Sequence, residues 1–194
     1  MAIEHYSKET IDKIGNAIIY LSERVETLSK TKLLKLLYLL EEYSVVKYHA
    51  PFFGIKFEVW QAGPVAKAVF IDLSDSPSLF VNFIETQVLT GGTFIKSKAA
   101  FNDDEFSDND IEIMDYVISE HGNKTAKQLV EITHRESYPW CKAAIENKLF
   151  DLFKSGRINH SDIEVDFTVI LTGCARERYL ETKEQKEAVD IFKR

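Results

Sequence analysis

The segment SKTKLLKLLYLLEEYSVVKYHAP, running from Ser29 to Pro51, constrains the fold more than any other part of this chain. Leu33, Leu36, Leu37, Leu40 and Tyr43 fall at the spacing of one helix face. Leu34 and Leu39 widen that stripe beyond what a surface helix needs. A helix that is apolar on more than one side must be covered on more than one side. The segment therefore predicts a central helix with other elements packed around it. Ser29 stands where an N-cap is needed. Pro51 disfavours helix at the residue before it, so the helix should stop near His49.

The flanking sequence supplies the covering elements. Ile11, Ile14, Ile18, Leu21 and Val25 recur at helical spacing, which predicts a helix over about 8–25 with Ser7 or Thr10 as cap. IKFEVW alternates, with Ile55, Phe57 and Val59 on one face and Lys56, Glu58 and Trp60 on the other, as a strand does. Pro64 reads as the first residue of a helix through Val65, Ala68, Val69 and Leu73. Ser76-Pro77 repeats that signal ahead of Leu79, Phe80 and Phe83. Gly91-Gly92 is a turn, and TFIKSK over 93–98 a second strand. Ser107 caps a helix carrying Ile111, Met114, Val117 and Ile118. Thr125 and Gln128 form a capping box for the next, with Leu129 and Ile132. Ser137-Tyr138-Pro139-Trp140 opens another, and Gly156 ends the stretch KLFDLFKSG. A further helix is expected over about 161–170. The expected fold is mainly α, of the α+β kind: one helical domain over 1–175 with a small antiparallel sheet at one side. Its strands lie near 55–60 and 93–98. A charged helical tail follows over 176–194.

Composition narrows the function. The chain has 194 residues, 24 Lys and Arg against 31 Asp and Glu, and a net charge of −7. That balance argues against an electrostatically driven nucleic-acid binder. Eight of the acids fall between Asp103 and Glu120 with no Lys or Arg among them. They make either a solvated loop and helix start or a surface for a basic partner. The N-terminus carries no basic-plus-apolar leader and no apolar run is long enough to span a membrane, so a cytoplasmic protein is expected. Two cysteines, Cys141 and Cys174, make no disulfide framework.

No catalytic constellation is legible. His5, His49, His121, His134 and His160 form no HExxH and no zinc spacing with cysteine. There is no nucleophile elbow and no phosphate loop. Asp108-Asn109-Asp110 lacks the Gly and distal Glu of a calcium loop. No metal, no cofactor and no catalytic residue is predicted.

Three clusters are more specific. The first is Lys32–Leu39, KLLKLLYL. The second is Trp60-Gln61-Ala62-Gly63-Pro64-Val65. The third is Leu129–Trp140, LVEITHRESYPW, with Thr133, His134 and Glu136 ahead of Pro139-Trp140. Each has a structural reading: a core helix, a Trp lid at a core edge, a rigid corner. Trp60 also suits an exposed aromatic anchor of the kind interface hot spots use. In this order and at these separations the three resemble the Panacea domain, whose motifs are K-L-x-K-L-L-Y-L, W-x-x-G-P-V and L-x-x-x-T-H-x-E-x-P-W. The third is matched with one extra residue before Pro139. The resemblance covers roughly 8–170. KLFDLFKSG departs from it, standing where the family passes through a Gly into an extended piece.

The resemblance implies a bacterial or prophage toxin–antitoxin setting. It implies an antitoxin that binds a cognate protein toxin directly, without catalytic residues of its own. It also leaves open a proteolytic adaptor, which would hold a protease as a second partner. Two further readings come from the residues. Lys30, Lys32 and Lys35 on one helix would serve a DNA-binding autoregulator, against the acidic net charge. An unrecognised hydrolase is the last. The candidate partner-binding residues are Trp60, Gly63, Pro64, His134 and Trp140 of the motifs, with Asp103, Asp104 and Glu105 of the acidic run. No membrane partner is expected.

Overall fold

The computed structural model describes residues 6–74 and 77–192. Helix α1 spans Lys8–Arg24 and α2 spans Lys30–Tyr48. Each is opened by a serine. Ser7 Oγ accepts from the amide of Thr10, and Ser29 Oγ from that of Lys32, which satisfies first-turn donors. α2 ends at His49, in the left-handed region, two residues before Pro51.

α2 is the axis of the molecule. It packs against α1, the short helix α3 (Lys67–Asp72), α4 (Asp108–His121) and α5 (Ala126–Thr133). Leu33, Leu36, Leu37, Leu39 and Leu40 are fully buried, and Leu34 nearly so. Cover on every side also buries the polar residues between the leucines: Lys35, Glu41 and Glu42 are each 1% exposed.

The fold class is as expected, mainly α with a little antiparallel sheet, but the strands pair differently. Instead of one sheet joining 55–60 to 93–98 there are two hairpins. β1 (Glu58–Trp60) pairs with β2 (Gly63–Val65), and β3 (Ile84–Leu89) with β4 (Gly92–Ser97). Each strand finds its partner two residues away, across Gln61-Ala62 or Thr90-Gly91, where closing the loop costs least entropy. Pro64 accordingly lies in β2 rather than at a helix start. It stands opposite Val59, whose N–H turns away from β2 to Ile163 O at 2.8 Å. Pro64 therefore occupies a position whose amide would face away from β1, and the ladder loses nothing.

Two expected helices are absent. Residues 77–83 form bends and turns, with Ser76 outside the described residues. The carboxylate of buried Asp72 holds this loop by accepting from the amides of Ser78, Leu79 and Phe80 at 2.7, 2.8 and 3.2 Å. The stretch 161–166 is extended alongside β1, Val165 N donating to Phe57 O at 2.7 Å, and only Phe167–Ile170 form a 3-10 turn. The capping boxes at Ser107/Asp110 and Thr125/Gln128 are both formed. Pro139 opens α6 (Pro139–Glu146), followed by α7 (Leu149–Lys154). The charged tail is helical within α8 (Gly173–Phe192), which carries Tyr179 into the core. Among the described residues no helix is long and apolar enough to cross a membrane.

Candidate functional site

The three sequence clusters meet at one joint. α2 brings Lys35 to it, the β1–β2 turn brings residues 60–64, and the corner between α5 and α6 brings Thr133, His134 and Trp140. Gly63 is at the closest approach, with φ +95°. A Cβ there would lie 2.8 Å from Thr133 Oγ1 and 2.9 Å from Lys35 Cε. Only glycine fits both the dihedral and the space.

Hydrogen bonds tie the three pieces together. Lys35 Nζ donates to Pro64 O at 2.8 Å. Trp140 Nε1 donates to Trp60 O at 3.1 Å. His134 caps the end of α5, with Nδ1 facing Val130 O and Nε2 facing Gln61 O at 3.3 Å. Its ring lies 3.7 Å from that of Trp140, centroid to centroid. Thr133, fully buried, donates from Oγ1 to Val130 O at 3.0 Å. Beside them Arg135 pairs with Glu42, which also accepts from Tyr38 Oη at 2.8 Å.

Burial sets the electrostatics. Lys35, with no charged partner at its amine among the described residues, has its pKa lowered by desolvation to about 7. Burial also pushes His134 below the usual imidazole range, although both carbonyl contacts pull it back up. Both of its ring nitrogens face carbonyl oxygens, so neither is turned toward the buried thiol of Cys141. Among the described residues no group of three or more His, Cys, Asp or Glu is placed to hold a metal.

Trp60 and Trp140 have different fates. Trp140 is 1% exposed and sits in the core, against Phe153 and Phe150. Trp60 is half-buried at the rim. Its Nε1 donates to Glu58 Oε2 at 2.9 Å, and its ring packs edge-on against Phe70 at 4.8 Å and beside His160 at 5.5 Å. The acidic segment is held elsewhere. Asn102 N donates to Asn16 Oδ1, Phe101 packs on Tyr20, and Phe106 on Phe52. Asp103 and Asp104 are exposed and Glu105 is half-buried. Further along, Asp110 pairs with Lys13, Glu112 with Lys47, and Asp115 accepts from Tyr20, so those three acids bind α4 to the core helices.

The residues that close this joint, from Lys35 to Trp140, all lie inside the span of one family model. The model described as antitoxin SocA-like, Panacea domain, matches residues 33–141. The chain belongs to that family. No curated protein and no solved structure matches it.

Within the Panacea domain the structure thus brings together Trp60, Gly63, Pro64, His134 and Trp140, and leaves Asp103, Asp104 and Glu105 outside the cluster. Two residues of the joint were not among the sequence candidates, Lys35 and Thr133. The sequence offers Lys35 as one of three lysines, with Lys30 and Lys32, on a helix that could meet DNA. In the fold Lys35 and Lys32 are 1% and 7% exposed, which leaves only half-buried Lys30, its amine donating to Ser74 Oγ, near the surface. The available signal was the leucines on both sides of Lys35, which bury whatever stands between them.

Proposed function

We propose that this antitoxin-like domain neutralises a cognate protein toxin by direct binding, in the cytoplasm, and catalyses nothing itself. The observation that carries this reading is the family match centred on a closed joint. Most of the motif residues, Lys35, Gly63, Pro64, Thr133, His134 and Trp140, are spent holding α2, the β1–β2 turn and the α5–α6 corner together. Outward at the joint lie Gln61, Ala62, Glu136 and Ser137, and with them the half-buried face of Trp60 beside Phe70. A flat aromatic at a rigid rim suits a protein interface, where Trp is enriched among the residues that carry binding energy.

The test uses the protein encoded beside this chain's gene. Co-expression should restore growth that this neighbour alone arrests, and the two should elute as one stable complex. Loss of the neighbour from cells, with no stable complex, would instead make this chain a proteolytic adaptor. Trp60→Ala should stay folded, since a half-buried rim side chain contributes only about 1–2 kcal/mol, and should weaken the complex at least tenfold. Trp140→Ala should lose about 3–5 kcal/mol of stability, so its effect on rescue reports folding. Unchanged affinity of folded Trp60→Ala would remove Trp60 from the interface.

A further inference from the structure

A strip of main chain after Pro51 is held by α2 on one side and by α8 on the other. On the α2 side, Glu41 Oε2 accepts from the amides of Phe53 and Gly54 at 2.8 and 3.3 Å, although Glu41 is only 1% exposed. On the α8 side, Lys186 Nζ donates to Phe52 O at 3.2 Å. Phe52 O and Phe53 N belong to one peptide group, and no peptide bond among the described residues is cis. In a trans peptide group the carbonyl and the N–H point in opposite directions. The carboxylate therefore faces the positive end of that group's dipole, and the ammonium faces its negative end. Hydrogen bonds in such a chain polarise one another and strengthen together. Gly54 completes the seat. Its φ is +71°, and a Cβ there would lie 2.8 Å from Lys186 Cδ, so the lysine stem rests on the glycine.

We propose that Glu41, the Phe52–Phe53 peptide group and Lys186 form one charge relay that latches α8, as a strap, onto the core helix α2. Tyr179, buried in the core, sets where the strap lies, and the relay sets how often it opens. The hydrogen bond from Lys186 to Phe52 O gives little hold by itself, and the carboxylate behind that peptide group supplies the rest. Burial pushes the pKa of Glu41 up, and the charge of Lys186 is the largest influence drawing it back, ahead of the two amides and Lys13. Lys13 is itself paired with Asp110 at 3.1 Å. A buried charge that loses its partner is strongly unfavourable, so the cation is costly to remove. Closure of a C-terminal helix thus depends on the charge of a residue buried in α2. This device is independent of the toxin-binding reading.

Native-state hydrogen exchange of the α8 amides in the full chain measures the opening, with a urea melt of each variant as the check on folding. Lys186→Met keeps an apolar stem on Gly54 and removes the ammonium. It should raise the open population of α8 roughly three- to thirtyfold. Glu41→Gln keeps an acceptor oxygen for Phe53 N and removes the carboxylate's charge. In that background Lys186→Met should raise the open population several-fold less than it does beside Glu41. Lys186→Arg keeps a cation over Phe52 O and should stay close to the native value. Equal increases in the two backgrounds overturn the relay, because Lys186 then acts through Phe52 O alone. So does an Arg variant as open as the Met variant, a comparison that stands even where the Glu41 variant fails to fold.

Discussion

Gly63 and Lys35 carry the sharpest consequences at the scale of single residues. At Gly63 any side chain meets two objections, a φ of +95° and a Cβ position already occupied by Thr133 and Lys35. Gly63→Ala should cost about 2–5 kcal/mol, the sum of backbone strain and overpacking. A lower urea midpoint with an unchanged slope would show it, and a midpoint equal to the native one would refute the close approach. Lys35 carries a pH signature. Its amine titrates near 7 in the folded chain, against an ordinary lysine value of about 10.5 when unfolded. Between those values the unfolded state binds more protons, so folding stability from this residue rises with pH. The contribution is complete above the unfolded value and is lost as pH falls through about 7. Lys35→Met removes the titration. Stability measured from pH 7 to 10 should rise less steeply in Lys35→Met than in the native chain. Parallel slopes would mean that the amine is solvated.

Among the elements, α8 is attached in a different manner from α2. α2 is buried from Lys32 to Glu42, with five of its leucines fully enclosed. α8 anchors Tyr179 in the core, and most of its other contacts are polar: Thr182 Oγ1 to His49 O at 3.4 Å, Lys186 Nζ to Phe52 O at 3.2 Å and Lys183 to Glu164 at 3.5 Å. Such contacts exchange readily with water and give little resistance to opening. Native-state hydrogen exchange should therefore find α8 amides opening locally, well below the global unfolding free energy. The amides of α2 should exchange only through global unfolding. Equal protection in the two helices would show that Tyr179 alone welds α8 to the domain.

For the molecule as a whole, the net charge of −7 gathers partly at one place. Of the acids between Asp103 and Glu120, Asp110, Glu112 and Asp115 are engaged with Lys13, Lys47 and Tyr20. That leaves Asp103, Asp104, Glu105, Asp108 and Glu120, of which the contiguous 103–105 stretch is the densest charge able to act at a distance. Exposed charges steer an encounter over about 8–10 Å at physiological salt and are screened beyond it. If the toxin is basic, reversing Asp103, Asp104 and Glu105 to lysine should slow association several-fold and leave dissociation nearly unchanged. High salt should shrink the difference. Equal association rates at low salt would end this role, and stability should hardly change in either case because these residues precede the Ser107 cap.

Local chemistry was legible in the chain. Serine caps before α1, α2 and α4, the Thr125/Gln128 box and Pro139 at the start of α6 each involve residues within four positions, so sequence states them outright. The surplus of leucine in α2 likewise told that the helix would be central. Tertiary structure decided the rest. A strand's pattern says that it needs a partner but not which one, and Glu58–Trp60 took its neighbour rather than the distant 93–98. Pro64 suits a helix start and an outward strand position equally, and the ladder chose the second. The stretch 161–166 lay down beside β1 because two main-chain groups there, Val59 N and Phe57 O, were otherwise unpaired. The burial of Lys35 and the rim position of Trp60 depend on which elements cover them from far along the chain. Sequence periodicity ranks faces by hydrophobicity, whereas burial is set by what the folded chain brings against each face.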